Sequence, residues 1–179
     1  MANDTDFPAL EPDELHWFTG GRKGHENGTN AYIMTIVSRF PRQIVAFKAD
    51  TSVNSRAIRR MVDGLPLAEN YFTDAAHAYL GVDFFGRHRR NVRNKKDTYT
   101  VEGTNSDLRH QIPGLRRRSR CFFRKIETLR AVLGLFIDAY NKFGEAKRKR
   151  QIPVRHKSQS ATGKYHKFRY PCFSVPDFL

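Results

Sequence analysis

The chain reads as an α/β domain, a mixed sheet flanked by helices, followed by a basic C-terminal tail. Three observations predict it. β-Branched and aromatic runs bounded by Gly and Pro open the sequence, a three-to-four-residue apolar period governs its second half, and positive charge accumulates toward the end. With 179 residues, 39% hydrophobic and 12% aromatic, the chain can bury one core, and a second full domain would be crowded. The composition divides it into an acidic lead over 1–9, a folded domain over 10–144 and a basic, poorly ordered tail over 145–179.

Residues 10–18 form a short strand that runs into the glycine-rich turn Gly20–Gly28. The run Ala31-Tyr32-Ile33-Met34-Thr35-Ile36-Val37 makes a second strand bounded by Pro41, and Gln43–Ala49 returns as a third after a tight turn. Ser52 or Asn54 then caps a helix whose inner face is Ala57, Ile58, Met61 and Val62 and whose end lies near Gly64. Tyr71-Phe72-Thr73 is a buried strand that stops at Asp74, and 75–81 forms a helical turn. The segment 86–97, with Arg87, Arg89, Arg90, Arg93, Lys95 and Lys96, is too charged for a core and reads as a loop or edge strand facing DNA. A helix from Thr100 to His110 closes at Pro113-Gly114, and a long one is predicted over Ser119–Phe143. In the latter, Phe122, Ile126, Leu129, Leu133, Phe136, Tyr140 and Phe143 make a continuous apolar stripe. Three strands, a helix, a strand and further helices suit a ribonuclease-H-like (retroviral-integrase-like) α/β fold, in which neighbouring strands bring two carboxylates together and a helix delivers a third.

The charge points to a polyanion. Lys and Arg number 32 against 18 Asp and Glu, a net +14 with a pI near 10.2. Residues 1–21 hold no Lys or Arg, whereas 87–125 hold thirteen against three acids, and 147–170 hold nine with none. The tail is therefore expected to cling to phosphates. No stretch approaches the ~18 apolar residues of a membrane span, and no basic, apolar leader opens the chain, so the protein is expected inside the cell, associated with the nucleoid. Cys121, Cys172 and the seven His show no zinc spacing, and there is no Walker loop.

Among these basic and aromatic neighbours, Asp13, Asp74 and Glu102 stand almost alone. A single Asp is usually a cap, a turn residue or a surface charge. Three acids, however, are the expected number for two-metal cleavage of a phosphodiester. Two Mg²⁺ (or Mn²⁺) ions ~3.5–4 Å apart activate the attacking oxygen and stabilise the leaving one, and each takes oxygen ligands. Glu11, Glu14 and Asp50 compete with Asp13 for the first position. Arg109 falls on the same helix face as Glu102, two turns on, where its guanidinium would grip a phosphate, and Asn105, one turn on, would orient a carboxylate or touch the DNA backbone. Arg116, Arg117, Arg118, Arg120, Arg124 and Lys125 read as contacts to phosphates, which confer affinity without base reading. His77 and His110 flank the acids, and Trp17 and Tyr79 are expected to pack, with stacking on a displaced base as the alternative role.

Asp13-Glu14 before Trp17-Phe18, Thr73-Asp74 before Tyr79, Glu102 with Asn105, Leu108 and Arg109, and the block Ser119–Glu127 together carry a likeness to a known family. Over about three quarters of the chain, from Glu11 to Phe143, it resembles the catalytic domain of DDE transposases of the insertion-sequence IS-one family and its close relatives. The resemblance implies that Asp13, Asp74 and Glu102 bind the two metal ions, and that the protein cleaves the ends of an insertion element and joins them to target DNA. It also implies a homo-oligomer on DNA and an upstream DNA-recognition segment, supplied by an overlapping reading frame or lost by truncation. A basic DNA-binding remnant without cleavage and a structure-selective ribonuclease-H-like nuclease are the rival expectations.

Overall fold

In the computed structural model, residues 7–21, 26, 28–90, 97–117 and 121–143 and the backbone of 173–174 are described. β1 (Leu10–Thr19) pairs antiparallel with β2 (Thr29–Ser38) along its whole length, and β2 pairs antiparallel with β3 (Gln43–Asp50). After α1 (Ser55–Asp63), β4 (Tyr71–Thr73) lies parallel to β1 on its other side, and β5 (His88–Arg90) lies parallel to β4. A 3₁₀ turn at His77–Tyr79 separates them. α2 (Tyr99–Gln111), a second 3₁₀ turn (Pro113–Leu115) and α3 (Ile126–Phe143) follow. β6 (Phe173–Ser174) adds a two-residue parallel edge to β3, so the mixed sheet runs β5-β4-β1-β2-β3-β6. The architecture is mixed α/β with helices flanking the sheet.

Strand alternation sorts the apolar residues onto two faces. Leu10, Met34, Ile36 and Tyr71 join Ala57, Ile58, Met61 and Val62 of α1 in one core, together with Tyr79 and Phe84. Leu15, Trp17, Ile33, Val37, Ile44 and Phe47 meet Val101 and Leu108 of α2 and Leu129, Leu133 and Ile137 of α3 in the other. β3 carries one extra residue, Val45, opposite Ile36 and Val37, so that the consecutive Val45 and Ala46 both face the α1-side core while Ile44 and Phe47 face the other. There Asn141 of α3 acts as a substitute strand: its Oδ1 accepts from Ile44 N at 3.1 Å and its Nδ2 donates to Ile44 O at 2.8 Å. Asn54, one of the two expected caps, caps α1 by accepting from Ala57 N at 2.7 Å.

The last helix is shorter than its periodicity predicts. It begins at Ile126, not Ser119, because the chain before it is recruited by the sheet: Gly20 N donates to Phe123 O at 2.8 Å, and Thr19 bridges Phe123. Phe122 thus lies outside the helix, Phe143 is exposed, and the buried line is Leu129, Leu133 and Ile137. The basic segment 86–97 contributes the edge strand β5, and its remainder, 91–96, lies outside the described residues, as do Arg118 and Arg120. Of the acidic lead only 7–9 are described, with Phe7 buried in the α1-side core, and of the tail only the backbone of β6. Among the described residues, no helix is long and apolar enough to cross a membrane.

Candidate metal and nucleic-acid site

The acids are brought together by strand register. Leu10 and Tyr71 are parallel partners, so Asp13 within β1 and Asp74 just past the end of β4, each three residues further on, arrive side by side. Glu11 and Asp13 face α2, whereas Glu14 faces the α1 side, where Tyr79 donates a hydrogen bond to its Oε2. α2 crosses above them. Its residues Glu102, Asn105, Ser106, Arg109 and His110, with Thr98 just before it, form one wall of an open cleft of about 740 Å³, with Asp13, Glu14, Leu15 and Asp74 on its floor and Arg116 and Arg117 at its rim.

Two of the rival first acids are excluded from the cleft by their partners. Glu11 is fully buried, accepts from Arg39 Nε at 2.7 Å and from Val101 N at 2.8 Å, and so neutralises the N-terminus of α2 in place of a cap side chain, which Thr98 does not provide. Asp50 ends β3, beside Lys48 at 3.4 Å, and accepts from Thr51 N. Asp13 and Glu14 both remain on the floor. Asn105, buried, donates its Nδ2 to Asp13 Oδ2 at 2.7 Å, with Thr35 Oγ1 3.5 Å from its own Oδ1. It thus orients the carboxylate, the first of the two roles its spacing suggests.

The floor is electrostatically tense. Burial, then the adjacent Glu14 and, more weakly, Asp74 push the Asp13 carboxyl up to about 7, against the opposing hydrogen bonds from the Glu14 backbone and Asn105. Burial likewise raises Glu14, Asp74 adds to the rise, and the Tyr79 hydroxyl offsets part of it. On the wall, burial and Arg117 hold the Arg109 guanidinium below its ordinary value, with Asp13 opposing. Its Nε is buried and has no hydrogen-bond partner among the described residues.

All donors on the floor are carboxylate oxygens, the set that a hard divalent ion prefers, so the residues fit Mg²⁺ or Mn²⁺ in kind. Their placement is looser than a metal cage. Among the described residues, no three His, Cys, Asp or Glu side chains converge closely enough to hold an ion between them. Glu102 stands exposed on α2, and the three acids share the cleft without meeting at a point.

The other expected contacts divide. Asn105, Arg109, Arg116, Arg117 and His110 line the cleft, with Arg116 Nε donating to His110 O at 2.7 Å at the end of α2. Arg124 and Lys125 are exposed before α3 and are not part of the lining, and His77 is exposed in its 3₁₀ turn, also outside it. Trp17 and Tyr79 are core: Trp17 Nε1 donates to Gly114 O at 2.7 Å, and Tyr79 is 2% exposed. Neither presents a face to a displaced base. No protein-family model matches the chain, and a search of the curated proteins finds no match.

Proposed function

We propose that the protein is a DDE transposase, a ribonuclease-H-like enzyme that cleaves insertion-element DNA ends and joins them to target DNA. The observation that carries this reading is one cleft with Asp13, Asp74 and Glu102 on the floor and near wall and Arg109, Arg116 and Arg117 above them. Carboxylates on neighbouring strands with a third on a crossing helix are what a ribonuclease-H-like site requires. Two Mg²⁺ or Mn²⁺ ions, when bound by those three acids, supply Lewis acidity and an ionised attacking oxygen. The chain's own residues do the rest. Asn105 fixes the Asp13 carboxylate, and the guanidinium of Arg109, which lines the cleft, donates to a non-bridging phosphate oxygen beside the scissile bond. The arginines at the rim hold the flanking backbone. The two steps share one site: water attacks in line at the phosphorus of the element end and releases a 3′-hydroxyl, which then attacks in line at a target phosphorus and displaces a target 3′-hydroxyl; transesterification conserves bond energy, so no nucleotide is consumed.

A second reading has its own support. The absence of a converged set of three metal-binding side chains among the described residues favours a DNA-binding protein that does not cleave. One experiment separates them. Labelled DNA carrying the ends of the flanking element is incubated with the protein and Mg²⁺ or Mn²⁺. Cleavage with joining is expected, and it should be lost in Asp74→Asn and Glu102→Gln while DNA binding persists. Cutting without joining indicates a nuclease, and binding indifferent to metal indicates the second reading. Full activity in Glu102→Gln rejects the acid assignment.

A further inference from the structure

We infer that Tyr99 is a stacking platform for an unpaired base of the DNA strand whose phosphates lie in the cleft. The inference rests on the proposed function for its ligand and on four features of the structure for its place. Tyr99 opens α2, and Glu102, Ser106 and His110 follow it at three, seven and eleven residues, successive turns of one face. Those three residues line the cleft, so Tyr99 continues the same stripe past the carboxylate end. It is 57% exposed, whereas the aromatic residues Trp17 and Tyr79 are sealed in the core.

Its position is also fixed. Arg39 lies with its guanidinium carbon 5.4 Å from the Tyr99 ring centroid and 4.3 Å from that of Phe72 on β4. That guanidinium is itself held by Glu11 Oε1 at 2.7 Å and by Asp97 O at 2.6 Å. A ring braced by an immobilised cation and otherwise open to solvent loses little freedom when a base stacks on it. Stacking of this kind is tolerant of sequence, because every base has a flat face. A DNA end entering the cleft with unpaired nucleotides would meet the arginines through its phosphates and Tyr99 through a base.

The test uses the full chain, a duplex with a single-stranded 3′ overhang containing 2-aminopurine, and no divalent metal, so that cleavage plays no part. Wild type should quench the 2-aminopurine and bind the overhang more tightly than blunt duplex. Tyr99→Ala and Tyr99→Leu should lose the quench and weaken overhang binding by about fivefold or more. Tyr99→Phe and Tyr99→Trp should retain both, and the dependence of affinity on salt should be the same in all five proteins, since no phosphate contact is removed. Matching thermal melting curves show that the variants are folded. Undiminished quench and affinity in Tyr99→Leu overturn the platform while leaving the transposase reading intact. Cleavage and joining that fail while the Tyr99-dependent quench persists overturn that reading and leave the platform standing. A wild type that binds overhang no better than blunt duplex overturns the platform outright.

Discussion

At the residue scale, the acid that matters most to the fold is not one of those proposed for chemistry. Glu11 is a fully buried carboxylate whose charge is met, among the described residues, by Arg39 and the first turn of α2. Removing Arg39 strands that charge, so Arg39→Ala should destabilise the protein by about 3–5 kcal/mol, read from urea unfolding. A loss under 1 kcal/mol would mean that Glu11 has other relief. Gly114 is a second such position, for steric reasons: a Cβ there would lie 2.4 Å from Cε2 of Phe123, whose ring fills the space beside the carbonyl that Trp17 holds. Gly114→Ala should lower stability by about 1–3 kcal/mol, and an unchanged denaturation midpoint would show that the ring moves aside. Neither dependence is legible in the sequence. Glu11 looks like one of three acids that compete with Asp13, and Gly114 looks like a helix stop, because the partners that define them lie on other elements: Arg39 and Val101 for Glu11, Phe123 and Trp17 for Gly114.

At the scale of elements, β1 to β4 and α1 are legible in the sequence because their signals are local, β-branched runs, an Asn cap and a Gly stop, whereas β5 is one of two readings of its basic segment and β6 lies in the tail read as poorly ordered. The start of α3 is not legible. Its apolar period continues back to Phe122, but Phe123 makes two links to the end of β1, and tertiary pairing wins over helical propensity. The burial of α3 gives a test. Leu133→Ala empties a fully buried site facing the sheet and should cost about 2–5 kcal/mol, whereas Leu135→Ala, at a position 76% exposed on the same helix, should change stability by no more than about 0.5 kcal/mol. Equal effects in thermal or chemical unfolding would mean that the helix is docked by a different face.

At the scale of the whole molecule, the positive field should govern association with DNA. Binding should weaken steeply as salt rises, with a log–log slope of about 0.9 for each phosphate neutralised on duplex DNA. Arg109→Gln and Arg117→Gln should each reduce that slope by about one, and a slope near zero in the wild type would remove the electrostatic basis of the proposal. Stability should also depend on pH through His88, which lies 2.7 Å from Thr73 Oγ1 and tilts against Phe84. Burial, and then Arg90, hold its imidazole below the ordinary 6.5, so the unfolded chain accepts a proton that the folded one resists. This contribution favours unfolding as pH falls below about 6.5 and vanishes above it. Asp13 and Glu14, raised by burial, titrate in the opposite sense, so the comparison is between wild type and His88→Gln. The variant should gain relative to wild type between pH 7.5 and 5.5 in urea midpoint, and a constant difference would contradict the assignment.

The amino-acid sequence by itself determined the element types, the separation of an acid-poor basic half from an acidic start, and which side chains are chemically able to bind metal and phosphate. Composition and short-range period suffice for these, since each depends on residues within a turn or a strand of one another. Tertiary structure alone decided that Asp13 and Asp74 stand side by side, that Glu11 belongs to the fold, and that Tyr99 is exposed at the start of the helix that walls the cleft. Those facts depend on strand register and on which face of α2 turns inward, and both are set by burying two apolar layers at once.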